Sequence, residues 1–199
     1  LNKVSIAYPL TGRIARTAVS QDVGRVRNGP LIGVTKLEHD ETANPGLDAL
    51  GFITMRSLIG RAGFFATDGS TMSGAGSDFA LLTNRQVMDV ACSVARDRAL
   101  EYLNDSVRVN PQTGFIAEVD AKGIEADITA AVKAALVDLG DATDASVKVH
   151  RDNNILATGT LLIDVSVIPL AYAKTITLTV GLVNPAMRPA APAPAAGQK

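Results

Sequence analysis

ASVKVHRDNNILATGTLLIDVSVIPLAYAKTITLTVGLV, residues 145–183, decides the fold. It reads as three strands: SVKVH (146–150), TLLIDVSVIPL (160–170) and AKTITLTVGLV (173–183). In the middle one Leu161, Ile163, Val165 and Val167 share one face, while Leu162, Asp164, Ser166 and Ile168 share the other. In the last, Ile176, Leu178, Val180 and Leu182 alternate with Thr175, Thr177, Thr179 and Gly181. A period of two puts one face against a core and leaves the other partly wet. A β-ladder alone cannot bury its apolar face.

The cover lies upstream. Val87, Val90, Ala91, Val94, Ala95 and Leu103 recur at helical spacing, with Arg85, Asp89, Arg96, Asp97 and Glu101 free to face water. Thr83 followed by Gln86 reads as a capping box opening this helix. A second helix is expected over 119–139, its stripe made of Ile124, Ile128, Val132, Ala135, Leu136 and Leu139. Gly123 weakens its first turn and Gly140 ends it. The order helix, helix, strand, strand, strand implies an α+β fold. Two long helices pack on a mixed, mainly antiparallel sheet, with extended terminal arms. GFITMR (51–56) and a segment near Phe64 and Phe65 read as further strands able to complete that sheet.

The first fifty residues resist a single core. Val4–Tyr8 reads as a short strand stopped by Pro9. From Leu10 to Pro45 the chain is punctuated by Gly and Pro, so it is either irregular and packed on something or an arm. After Asn184 the Pro/Ala-rich end reads as an extended, disordered tail. The expected division is an arm and irregular region (1–50), an α+β core (51–183) and the tail (184–199). The chain opens on Leu1 rather than Met, so a fragment or a trimmed product is one expectation.

Composition narrows the function classes. The chain is 47% hydrophobic but only 4% aromatic, with no Trp, so its core must be aliphatic and a base-stacking surface is not expected. A formal charge of −1 disfavours direct nucleic-acid binding. No run of about twenty apolar residues exists, so membrane insertion is not expected. The single Cys92 is expected to be a small buried residue.

Charge is nevertheless segregated. Lys3, Arg13, Arg16, Arg25, Arg27 and Lys36 stand against Asp22 alone in residues 1–36. In 117–141, Glu118, Asp120, Glu125, Asp127, Asp138 and Asp141 outnumber Lys122 and Lys133. Arg13, Arg16, Arg25 and Arg27 meeting Glu118, Asp120, Glu125 and Asp127 of a second copy would suit like-with-like assembly; pairing within one copy is the competing reading.

Convergent catalytic groups are scarce. His39 and His150 have no Cys or His partner at metal-ligand spacing, so no metal or cofactor is expected. GAGSD (74–78) lacks the context of a phosphate loop. An alternative reading is a small hydrolase or ligand-binding domain using Asp68, Ser77 and Asp78 of the 67–78 loop; the leading one is not an enzyme.

The order of segments resembles the C-terminal, core portion of contractile phage tail sheath proteins. The resemblance is carried by Gly51-Phe52-Ile53-Thr54-Met55-Arg56 with Gly60-Arg61-Ala62-Gly63-Phe64, by Ser77–Asn104, and by Arg151–Pro185. It implies a structural subunit forming hexameric rings stacked helically around a tail tube, contracting to drive the tube through the host envelope. It implies the tail tube, baseplate and tail terminator proteins as partners, no small-molecule substrate, and a place in the virion after assembly in the bacterial cytoplasm. It also implies that terminal arms add strands to neighbouring subunits. Thr175, Ile176, Thr177, Leu178, Thr179 and Val180 are the candidate residues, and the N-terminal arm is a second candidate. A different tail or baseplate protein is the other reading within this class.

Overall fold

A computed structural model describes residues 3–74 and 76–181. Leu182 and Val183 of the expected third strand, and the whole expected tail from Asn184, lie outside the described residues. The fold is α+β, with two small antiparallel sheets and several helices.

The larger body is built from α2 (Leu82–Leu100), α3 (Glu118–Leu136), β3 (Ala142–Val149) and β4 (Ile163–Pro169). β3 and β4 pair antiparallel, with Val147 opposite Val165 and Val149 opposite Ile163. The helical stripes supply the cover: Val87, Ala91 and Ala95 of α2 and Ile124, Ile128, Val132 and Leu136 of α3 are buried. They meet Ala142, Ala145, Val147 and Val149 of β3, with Ile163, Val165 and Val167 packed alongside. α3 lies on β3 and α2 on β4. Gly140, at φ +76, turns the chain from α3 into β3. A four-residue helix, α4 (Ile155–Thr158), bridges the two strands, capped by the Asn154 side chain accepting from the Ala157 N–H.

A second, smaller core sits under the N-terminal half. β1 (Met55–Leu58) and β2 (Arg61–Ala66) form a hairpin paired only with each other, rather than completing the main sheet. Val23, Leu31, Met55 and Ala66 are buried there, joined by Ile6, Leu10 and Ile14. Those last three belong to or adjoin α1 (Ala7–Arg16), where a strand stopped by Pro9 is expected. Pro9 lies in the helix's first turn, where a missing N–H costs no intrahelical bond. Residues 10–37 are therefore packed on the hairpin rather than extended from it. Leu31 N–H donates to the Phe64 carbonyl at 2.8 Å, and a Cβ on Gly63 (φ +86) would fall 2.5 Å from Pro30, so only glycine lets that segment lie against β2.

Other expectations are corrected. Thr83 is not a cap: Leu81 holds that position without a side-chain bond, and Thr83 is buried in the first turn. The helix start is held by backbone, with Leu82 N–H donating to Gly69 O at 2.7 Å. Leu103 and Leu139 lie beyond their helices and are exposed. Cys92 is exposed on α2. Residues 173–181 form no strand within this chain.

Candidate assembly surface

From Leu170 to Gly181 the chain runs on without helix or sheet. Thr175, Ile176, Thr177, Leu178, Thr179 and Val180 are all exposed, Ile176, Leu178 and Val180 to more than 80%. Three aliphatic residues so open, each alternating with a threonine, keep the pattern of a strand without the pairing that would make one.

The β3–β4 sheet has two outer edges, and they differ. Along β3, the Val147 N–H donates to Thr129 Oγ1 (3.2 Å) and the Val149 N–H to Glu125 Oε1 (2.8 Å). The Ala145 N–H donates to Asp144 Oδ1 (2.8 Å). Side chains, mostly from α3, thus occupy that edge. In an antiparallel pair, residues directly opposite turn their backbone groups the same way, both inward or both outward. Val167, Val165 and Ile163, opposite Ala145, Val147 and Val149, therefore point their N–H and C=O groups along the outer edge of β4. Among the described residues no hydrogen bond takes them. Beside that edge, between β4 and the first turns of α2, runs a groove of about 380 Å³. Val87, Met88, Phe79, Asn84 and Val167 are among the residues that line it.

The acidic candidates are engaged within the chain. Arg151 reaches Glu118 and Glu125 together and also donates to the Val149 carbonyl. Arg108 pairs with Asp120 and Arg98 with Asp127, which also accepts from Tyr102 Oη at 2.6 Å. Arg151 beside it, then the Val149 N–H, hold the Glu125 carboxyl down to about 2 against the burial that raises it. Glu118, Asp120 and Asp127 are likewise lowered, each chiefly by its own arginine. Pairing within one copy is thus what these four carboxylates do. Of the basic candidates, Arg13 donates to the Pro30 carbonyl at 2.6 Å, while Arg16, Arg25 and Arg27 have no carboxylate partner among the described residues.

The 67–78 loop does not gather its three candidates. Asp68 accepts from Ser70 and pairs with Lys174. Ser77 Oγ accepts from the Phe79 N–H at 3.2 Å, and Asp78 holds Asn84 through its backbone carbonyl. His39 contacts Glu41, and His150 contacts Asp164. Among the described residues no cluster of three or more His, Cys, Asp or Glu could hold a metal, and no helix is long and apolar enough to cross a membrane.

The strand-like character of residues 175–180 was present in sequence as the Thr/aliphatic alternation. Which edge is open was not, because it depends on where Glu125 and Thr129 of α3 reach.

Known proteins share this fold. The chain is similar to one in a cryo-EM structure of the anti-feeding prophage (AFP) baseplate, 6-fold symmetrised. The TM-score is 0.63 at 15% identity, covering 89% of this chain and 49% of that one. It is also similar to one in a structure of the AFP helical sheath in the contracted state: TM-score 0.59, 17% identity, 88% and 49% covered. The chain thus spans about half the length of both of these chains. No curated protein matches it. The model described as DUF2586, C-terminal domain, matches residues 78–187, which contain both long helices and the β3–β4 pair and make up more than half of the sequence, so the chain belongs to that family.

Proposed function

We propose that this chain is a non-enzymatic structural subunit of a contractile tail, a sheath subunit that polymerises around a tail tube. One observation carries the reading: residues 175–180 keep a strand's alternation yet stand exposed and unpaired, in a chain whose β4 edge is open. Adding the segment from one copy to β4 of the next satisfies both. Six residues at about 3.3 Å each span about 20 Å, close to the length of the seven-residue β4. Main-chain bonds give the joint, and the groove under α2 receives Ile176, Leu178 and Val180. Donor and acceptor are different surfaces of one chain, so an exchange passed on to a third copy runs head-to-tail and builds rings or helical polymers, whereas a returned exchange would close a dimer.

Magnitudes indicate how such joints act. Burying three aliphatic side chains contributes about 1.5–3 kcal/mol each. Ordering six residues costs about 1–2 kcal/mol each. A single joint is therefore weak, and many joints in one lattice hold together. The likeness in fold to AFP baseplate and sheath chains supports this setting, and with it a tail tube, baseplate and terminator as partners in a virion assembled in the host cytoplasm. Arg16, Arg25 and Arg27 are proposed contact residues, with Arg13 beside them. Glu118, Asp120, Glu125 and Asp127 would join such contacts only by exchanging the arginines of their own chain. The sequence division at residues 50 and 183 is kept for the polymerising unit, although the small core spans the first of these boundaries.

The test is size exclusion with light scattering, followed by negative-stain microscopy of the purified chain. Rings, tubes or open polymers are expected. A strict monomer at every concentration, with residues 175–180 protected from hydrogen exchange, overturns the reading.

A further inference from the structure

The exposed segment is anchored just before it becomes free. Leu170 and Tyr172 are half-buried while Ala171 and Ala173 are exposed, so the chain at first lies against the body on alternate residues. Tyr172 Oη donates to the Ser20 carbonyl at 2.5 Å. Lys174 Nζ pairs with Asp68, whose side chain is 15% exposed and which also accepts from Ser70 N–H and Oγ at 2.9 and 2.6 Å. From Thr175 onward every described residue is exposed.

These two anchors stand on a junction. Val19 packs on the helix-and-sheet core, while Val23, four residues on, belongs to the hairpin core. Ser20 Oγ donates to Asp141 in the turn between α3 and β3, at 2.5 Å. Asp22 accepts from the Gly24 N–H at 2.7 Å and from the Gly69 N–H at 3.1 Å. A Cβ on Gly24 would lie 2.4 Å from the Thr67 carbonyl, so these two segments are in direct backbone contact. Residues 20–24 and 67–70 thus line the seam between the two cores, and Tyr172 and Lys174, on the chain that leaves β4, bind one of these segments each.

We propose that residues 170–174 are a strap across this seam, which fixes where the terminal segment leaves the body and locks the two cores together. The inference rests on the reading of residues 175–180 as a strand given to another copy, and adds how its presentation is controlled. A free six-residue strand on a loose tether searches many directions; held at its root by two bonds, it starts from one. In the same way a pull on the captured strand reaches Tyr172 and Lys174 first, and through them the seam. Both anchors are local contacts between packed elements, so their loss opens the seam without unfolding either core.

The strap is tested on the monomer, below the concentration at which it assembles, by hydrogen exchange in Y172F, K174Q and the double variant. Amides of residues 20–24 and 67–70 should exchange about tenfold faster in the double variant, the scale of one or two such hydrogen bonds. Those of α3 and β3 should be unchanged. Deleting residues 175–199, which leaves the strap intact, should leave seam exchange as in the parent chain. Unchanged seam exchange in the double variant overturns the strap, as does faster exchange on deletion of 175–199 alone. In assembly assays the double variant, with an intact strand, should need a severalfold higher concentration to polymerise. Assembly at the parent concentration, despite a loosened seam, overturns the positioning role. A parent chain that never assembles counts against the polymer reading, while the exchange measurements still decide the seam lock.

Discussion

Arg151 joins two carboxylates and a backbone carbonyl of the main body. Its guanidinium bridges Glu118 and Glu125 of α3 and donates to the Val149 carbonyl, while Glu125 in turn accepts the Val149 N–H. One planar cation thus ties the first turns of α3 to the end of β3. Replacing it by glutamine leaves the two carboxylates with only the exposed Lys122, 3.4 Å from Glu118, as a cation. R151Q should lower stability by about 1–3 kcal/mol, seen as a lower urea midpoint with an unchanged slope. The same site sets an acid response. The Glu125 carboxyl is held at about 2, below its ordinary 4.5. A lowered folded value means that the stabilisation is complete above about 4.5 and is lost as pH falls toward about 2. The parent chain should lose thermal stability across that window, and R151Q should show a shallower loss because its Glu125 no longer has the cation to lose.

At the scale of elements, two helical positions are out of step with the helices they occupy. The hydroxyl of Thr83 is buried in the first turn of α2 without a hydrogen-bond partner. A valine of nearly the same shape removes an unsatisfied polar group, so T83V should stabilise the chain by about 1 kcal/mol in thermal unfolding. Gly123 lies on the exposed face of α3, where a Cβ would meet nothing within 4 Å. G123A should add about 0.5–1 kcal/mol through helix propensity. Legibility also differs by element. The i, i+4 stripe of Ile124, Ile128, Val132 and Leu136 stated its helix and its buried face outright, because burial and periodicity agree there. α1 was hidden because Pro9 reads as a stop unless its place in the turn is known, though Ile6, Leu10 and Ile14 carry the spacing. The capping box at Thr83 misled because a backbone contact from Gly69 fixes the helix start instead.

For the whole molecule, assembly should separate from folding. L178P removes one main-chain donor and bends the exposed segment, yet touches neither core. The variant should unfold at the parent temperature by circular dichroism and fail to form polymers in light scattering. Deleting residues 175–199 should do the same. Polymers of normal size from either protein would show that residues 175–180 are not the joint. A drop in unfolding temperature with L178P would show instead that the segment packs on its own chain.

The sequence by itself determined the aliphatic core, the two long helices, the β3–β4 pair and the alternation of residues 175–180. Each of these is written in the spacing of apolar residues along a continuous stretch, which local backbone geometry converts directly into a buried face. Only the tertiary structure decided that residues 51–66 make their own hairpin core instead of extending the main sheet. It alone showed that Glu118, Asp120, Glu125 and Asp127 are met by arginines of the same chain. It also decided that β3 is closed while β4 is open, and that Tyr172 and Lys174 hold the root of the terminal segment. These depend on residues as far apart as Ser20 and Tyr172, and no periodicity in a one-dimensional string specifies which distant side chain will arrive at a given edge.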